Sequence, residues 1–443
     1  MTEVIFNYIL KNFAAIYKIE TDEFNINYGI DNRSKIQIKK GDTDYFNKKE
    51  PLNLSGVIWK EWMGEKIPFL FDSDSENIII SQEEGNVVIN YDFIASAFFF
   101  LSNWQEYTSP DKDIYGRFRM TESIQYKQNF ICKPVVNYYF DILKNAIEQA
   151  YHIKLSQKLW KEKKMAVCLT HDIDLCESAW IQGSFRELLK GNIFAPFKLL
   201  ASKLFANDRW FNFKEIIDIE KKFNLSTTFY FLPFKGRKNG IPNADYNISK
   251  PKFRKVFGLI RENGSEIAIH GSIGTSTDSG LLKSEIEKMG VEVNGNRYHF
   301  LMYDSYLSPS VLSESGLKYD SSLGFAESIG FRNAYCLPFY LFDIKNCRST
   351  DIIEIPLNVM DVSYGKKYMD ITKEEALNKT CHIIDEIEKF NGCFTLLWHN
   401  TYFSEYKYEG WKDIYSRIVE HCTGKDAQIA SGNEICKLFD SKE

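Results

Sequence analysis

No Cys-x-x-Cys pair occurs among the nine cysteines, and an odd number of them cannot all pair within one chain. This fits a reduced, cytosolic protein better than a disulfide framework, and Cys168 and Cys393, each inside an apolar run, read as inert core residues. Long blocks of like charge are missing too. Fifty-five basic and 60 acidic residues are interleaved to a formal charge of -5, which leaves no basic footprint for nucleic acid. The most apolar stretch, "FIASAFFFLSNW", is about half the length needed to cross a bilayer and runs straight into "QEYTSPDKD". It reads as a buried helix, and no membrane span is expected. The first residues, "MTEVIFNYILKNFAAIYKIE", have no basic n-region, uninterrupted apolar stretch or small-residue cleavage site. They read as an amphipathic helix of a cytoplasmic chain. No repeat or low-complexity segment breaks up the sequence.

What is present is length and aromatic content. At 443 residues the chain exceeds what one hydrophobic core usually supports, so two domains are expected, residues 1–158 and 159–443. The boundary falls at the lysine-rich connector "LSQKLWKEKK". Upstream, "IQIKK", "SGVIWKEW", "IPFLF", "NIIIS" and "NVVINYDF" read as short strands, followed by one helix over "DFIASAFFFLSNWQEY" and a second over "PVVNYYFDILKNAIEQAYHI". That is a smaller α+β unit. Its Trp59, Trp62 and Trp104 fit core packing better than sugar stacking. Downstream, strand and helix alternate from "MAVCLT" to "CFTLLWHN", the pattern of an α/β fold with a parallel sheet and a ligand site at the strand C-terminal ends.

Every residue suited to chemistry stands at such an end. In "AVCLTHDID" a buried strand stops at Asp172 and Asp174, which the alternation of an extended chain puts on one face. Buried carboxylates need a cation, a partner or solvent, and an acidic turn or helix cap would explain "HDID" alone more readily than a functional site. Only seven histidines occur, yet His171, His270, His299 and His399 all close apolar strands, and Arg297 lies beside His299 in "RYHFLMY". Aspartate with two histidines suits zinc or another divalent first-row ion with an open position for water, so a hydrolytic metal site is expected. His152, His382 and His421 fall on helical patterns and are left out of it.

The ordered set "LTHDID", "EIAIHGS", "RYHFLMYD", "GLKYDSSLGF", "EIPLNVMD" and "LLWHN" resembles the polysaccharide deacetylase superfamily (NodB-like, carbohydrate esterase family four) over roughly residues 164–440. The closer likeness is to the branch from bacterial surface-polysaccharide loci, in which an extra N-terminal domain precedes the barrel; "YDFIASAFFFLSNWQEY" and "DIYGRF" look like that companion. The resemblance implies a distorted or incomplete (β/α) barrel binding one divalent metal ion, zinc with nickel or cobalt as alternatives. It implies Asp172 as general base, Arg297 as its orienting partner, His399 as general acid, Asp174 and His270 as metal ligands, and the Phe300 backbone amide as an oxyanion donor. His171, Asp320 and Arg332 would be surroundings of the pocket, the last two through structural pairing. Glu354 and Asp361, flanking "IPLNVM", are weaker candidates.

Two positions depart from the family pattern. Gly274 stands where a second metal-binding histidine is usual, which leaves the third ligand open between His299, a substitute from Ser272, Thr275, Asp278 or water, and loss of the metal. Asn400 stands where many relatives have an aspartate that tunes the late histidine. The implied activity is removal of an N-acyl group, acetyl above all, from an amino sugar or glycan precursor. The alternatives are hydrolysis of a cyclic imide or other non-peptide amide, and a catalytically silent glycan-binding protein. A carbohydrate or other N-acylated small molecule is the expected partner, with no nucleic acid.

Overall fold

The computed structural model describes residues 1–31, 33–72, 78–83, 85–157, 159–189, 191–194, 197 and 208–441. Lys158, at the expected boundary, lies outside them. The first region opens with the helix Thr2–Tyr17, whose Ile5, Ile9, Phe13 and Ile16 recur at helical spacing and are all buried. Strands β1 (Ile26–Tyr28) and β2 (Ile36–Ile38) are followed by a hairpin of β3 (Ile58–Trp62) and β4 (Glu65–Phe69), then by β5 (Ile80–Glu83) and β6 (Asn86–Ile89). Outside the hairpin these strands form one sheet in the order β1-β2-β6-β5.

The next segment departs from the expected single helix. Asp92 caps the helix Phe93–Leu101 by accepting from the Ala95 amide at 2.8 Å, and Asn103, at φ 59°, ends it before a short helix Trp104–Thr108. Asparagine tolerates the left-handed conformation better than most side chains, so the break falls there. The helix Val135–Tyr151 completes the region. Trp104 is buried, and Trp62 donates to Asp141 at 2.9 Å.

The second region is a curled, incomplete α/β barrel. Its strands are β7 (Met165–Ile173), β8 (Thr228–Phe231), a two-residue pair β9 (Arg237–Lys238) and β10 (Ile241–Pro242), then β11 (Glu266–Gly271), β12 (Gly295–Tyr298), β13 (Tyr319–Asp320), β14 (Phe339–Asp343), β15 (Arg348–Glu354), β16 (Val359–Met360), β17 (Cys393–Leu397) and β18 (Ala427–Ile429). Ten of them share one sheet in the order β14-β15-β13-β12-β11-β8-β7-β17-β16, with β18 added to β7. All neighbours pair in parallel except β14 and β15, so the polar strand ends collect on one mouth. All nine residues of β7 are buried, which is why it reads as a continuous apolar run rather than an alternating one.

The N-terminal region covers the antiparallel edge of this sheet. Asn12 accepts from the Tyr340 amide at 2.8 Å and the Tyr8 hydroxyl donates to the Tyr340 carbonyl at 2.8 Å, so β14 presents less free backbone to solvent. One cluster of buried apolar side chains runs without a break from Ile5 to Phe439. All nine cysteines are free thiols. Among the described residues no helix is long and apolar enough to cross a membrane.

Candidate metal centre and active site

Strand alternation sends Asp172 and Asp174 to the barrel mouth and turns His171 the other way. His171 is fully buried outside the cleft, its Nδ1 2.8 Å from the Trp398 carbonyl and its Nε2 2.7 Å from Glu220. Asp174 meets His270, from the end of β11, and His299, just past the end of β12. The three ligand atoms form a triangle: Asp174 Oδ1 to His270 Nε2 is 3.4 Å, Asp174 Oδ1 to His299 Nδ1 is 3.6 Å, and the two histidine nitrogens are 3.1 Å apart. Three ligands of a tetrahedral ion with bonds of about 2.0–2.1 Å stand about 3.3 Å from one another, so the residues fit a first-row divalent ion.

The hydrogen bonds behind the ligands support the same fit. The outer ring nitrogens face acceptor-only carbonyls, His270 Nδ1 against Arg297 at 2.6 Å and His299 Nε2 against Pro242 at 3.1 Å. Each outer nitrogen therefore carries the proton, and in the neutral rings both inner nitrogens turn lone pairs toward each other. Asp174 Oδ1, buried and without a hydrogen-bond partner, completes a set that only a cation or a trapped proton satisfies. Burial pushes the His299 imidazole down to about 4 against the pull of Asp174, which keeps this donor neutral. Burial acts on His270 in the same sense, but Asp172 and Asp174 outweigh it and raise that ring. Burial would raise the Asp174 carboxyl, yet the charges that His299, His270 and His399 carry when protonated outweigh it and hold it well below the usual carboxylate range.

Gly274 has φ 92°, where any side chain is strained, and a Cβ there would lie 2.6 Å from Lys238 Nζ. The substitutes weighed for a missing ligand are engaged elsewhere or outside the triangle: Asp278 caps the helix Ser279–Met289 and the Thr275 hydroxyl donates to the Ser272 carbonyl. His299 reaches the centre through an unusual turn. Phe300 and Leu301 are consecutive non-glycine residues at φ 58° and 55°, a conformation costing about 1–2 kcal/mol each.

Asp172 lies on one side of the triangle. Its Oδ1 accepts from Arg297 Nη1 at 3.0 Å while its Oδ2 stands 3.5 Å from His270. Arg297 is fully buried and spends its other donors on the Thr170 hydroxyl at 2.7 Å, the Ser321 carbonyl at 2.8 Å and the Ser321 hydroxyl at 2.9 Å. On the other side His399 points Nε2 toward Asp174 Oδ2 at 3.7 Å. Asp361 grips His399 twice, at ring Nδ1 (2.7 Å) and at the backbone amide (2.6 Å). Burial works against the imidazolium, but Asp361 outweighs it and His399 is pushed up to about 10. The tuning carboxylate missing at Asn400 is therefore supplied from the end of β16, while Asn400 holds the Leu175 and Trp210 carbonyls.

These groups line a cavity of about 170 Å³ whose apolar wall comes from Leu301, Ala326, Met360, Val362 and Leu397. Phe300 lines it as well. His171, Asp320 and Arg332 do not. Arg332 makes a bidentate pair with Glu106 at 2.6 Å, and Asp320 accepts from Asn296 at 2.6 Å and from the Ser322 amide at 3.0 Å. Sequence reasoning undervalued Asp361, although an apolar strand stopping at a carboxylate is the signal that had singled out Asp172. It missed Arg117, Lys367 and Tyr368, which line the cavity from loops with no periodicity.

An aspartate-histidine-histidine triangle that could hold a metal ion thus stands between a guanidinium-held carboxylate and a carboxylate-held histidine at the mouth of an incomplete α/β barrel. In comparisons with known proteins, residues 1–152 match a family of unknown function, DUF7033. No curated protein matches the sequence. Among solved structures the chain is similar to a putative polysaccharide deacetylase from Mycobacterium smegmatis, at 18% identity over 63% of this chain and 91% of that one, with a TM-score of 0.43. It is also similar to a probable polysaccharide deacetylase from Pseudomonas aeruginosa PAO1, at 11% identity over 65% and 95% of the two chains, with a TM-score of 0.41. Puue allantoinase matches with the same identity, coverage and score.

Proposed function

We propose that the protein is a metal-dependent hydrolase that removes an N-acyl group from an amino sugar or glycan precursor of surface-polysaccharide metabolism, with residues 1–158 as a companion domain. The observation that carries this reading is the Asp174, His270, His299 triangle, with its unpartnered carboxylate oxygen and two inward nitrogen lone pairs. Asp174 Oδ1, His270 Nε2 and His299 Nδ1 would hold zinc, or nickel or cobalt, which supplies Lewis acidity next to the scissile amide. Asp172, oriented by Arg297 through its Oδ1, takes the proton from the attacking water on its other oxygen. The Phe300 amide is the donor for the oxyanion that forms on the acyl carbonyl. His399, protonated through Asp361, gives its proton to the departing amine, so base and acid enter the reaction in opposite protonation states. The apolar wall of Leu301, Ala326, Met360 and Leu397 suits the acyl group, whose methyl or longer chain has no hydrogen bonds to offer.

The test combines metal analysis of the purified chain with amine release from N-acetylated amino sugars and from cyclic imides. About one equivalent of a divalent ion and release from the sugars are expected. A chain without a titratable zinc, nickel or cobalt site would overturn the reading, and release confined to imides would redirect it to the other substrate class.

A further inference from the structure

The strained turn that carries His299 is held from outside the barrel. Arg117, in the N-terminal region, donates from Nη1 to the Phe300 carbonyl at 2.9 Å and lines the cavity beside it. Its guanidinium is itself anchored: Asp113 accepts from Arg117 Nε at 2.7 Å and from Nη2 at 2.6 Å, and only 8% of the arginine side chain is exposed. Asp113 also accepts from the Tyr115 and Arg117 amides at 2.8 and 2.9 Å, and Gly116, at φ 80°, closes the turn. The loop 113–117 is thus built around one carboxylate. It delivers two groups to one residue of the barrel, because the Tyr115 ring stacks on Phe300 at 4.9 Å while Arg117 holds the Phe300 carbonyl.

We propose that Arg117 is a positioning residue for the metal centre: anchored on Asp113, it pins the left-handed Phe300–Leu301 turn and so presents His299 Nδ1 to Asp174 and His270. A left-handed turn without glycine persists only where its surroundings over-determine it, and Arg117 and Tyr115 are the contacts that do so from the N-terminal side. The companion region thereby becomes part of the centre, compensating for a third ligand that stands at His299 rather than at Gly274. This rests on the metal reading of the triangle.

The test measures the affinity of the full-length chain for zinc and cobalt by chelator competition, together with the visible spectrum of the cobalt form. Absence of binding by the unaltered protein would defeat the metal reading itself. Given binding there, Arg117→Ala is expected to weaken it about tenfold to 100-fold, the usual effect of losing a group that orients a ligand, and to change the cobalt spectrum. Arg117→Lys, which keeps one donor for the Phe300 carbonyl, should recover part of the loss. Arg117→Ala combined with His299→Ala should bind no more weakly than His299→Ala alone, since both act through one ligand. Affinity within twofold of the unaltered protein in Arg117→Ala, or losses that multiply in the double variant, would overturn the proposal. Should Arg117→Ala fail to fold by circular dichroism, Asp113→Asn, which loosens the anchor only, carries the same expectation and the same refutation.

Discussion

Two sets of buried carboxyl groups sit at the same mouth of the barrel, and their surroundings are opposite in kind. Asp174 faces two histidine nitrogens and keeps an oxygen without a partner, whereas Asp320 and Glu354, at the ends of β13 and β15, face each other and accept protein donors on three of their four oxygens, leaving Glu354 Oε2 to the other carboxyl. Burial alone would raise all three. At Asp174 the histidines reverse it, and the carboxylate stays ionised. At Glu354 burial is reinforced by Asp320, so this carboxyl is raised well above the ordinary range and the pair keeps a proton. An apolar strand ending in an acid can thus be prepared for a cation or sealed by a proton, and the neighbouring strand decides which.

The largest expected effect isolates chemistry from metal binding on the open side. Asp172→Asn removes the proton acceptor while leaving Asp174, His270 and His299 in place, so turnover should fall by about 10³-fold or more with metal content nearly unchanged. Parallel loss of metal would show that Asp172 is a ligand instead. Next come the ligands themselves. His299→Ala and His270→Ala should each weaken metal binding by more than the roughly tenfold to 100-fold that losing a supporting partner costs. Chelator titration compares the two directly, and an unaffected His299→Ala would return the site to two ligands and sink the role given to that histidine.

The legibility of these two clusters in the sequence differs for a physical reason. Strand ends were readable because a parallel sheet covered on both faces makes apolar runs that stop abruptly; Asp172, Asp174, His270 and His399 all stood out in this way. What the strands do not encode is which neighbour each acid meets. Asp361 and Glu354 looked alike in "EIPLNVMD", yet one grips His399 and the other shares a proton with Asp320. Loops were less readable still. Nothing in "DIYGRF" says that Arg117 crosses to the Phe300 carbonyl, since that contact spans 183 positions of sequence. The break at Asn103 escaped notice for a related reason: the apolar pattern runs through it, and one left-handed residue leaves no mark on periodicity.

Asp361 offers a sharper comparison, because it is a sealed acid serving the open site. With Asp361 present His399 is held at about 10, so the alkaline limb of kcat/KM should fall near there. Asp361→Asn removes the charge that favours the imidazolium. His399 then loses its proton nearer neutrality, and the limb should move to lower pH with a loss of about tenfold at pH 7 that deepens as pH rises. A pH–rate profile checks this, and an alkaline limb that stays in place would remove His399 from the role of acid.

The smallest effect is expected on the sealed side. In the folded chain the Asp320–Glu354 pair carries a proton that the unfolded chain gives up above about pH 4.3, the ordinary glutamate range. Folding takes up that proton, so the pair's contribution is fully present below this range and declines as pH rises toward the raised folded value. Glu354→Gln is neutral at every pH and nearly the same shape, but its amide brings donors the carboxyl lacked. Its unfolding free energy should lie within about 1 kcal/mol of the unaltered protein near pH 5 and fall less between pH 5 and 8. Metal affinity should not change, because neither Asp320 nor Glu354 lines the cavity. Urea unfolding across that range measures the slope, and a decline as steep as in the unaltered chain would place the proton elsewhere. The two clusters would then differ in partners alone, and the contrast in protonation drawn between them would be lost.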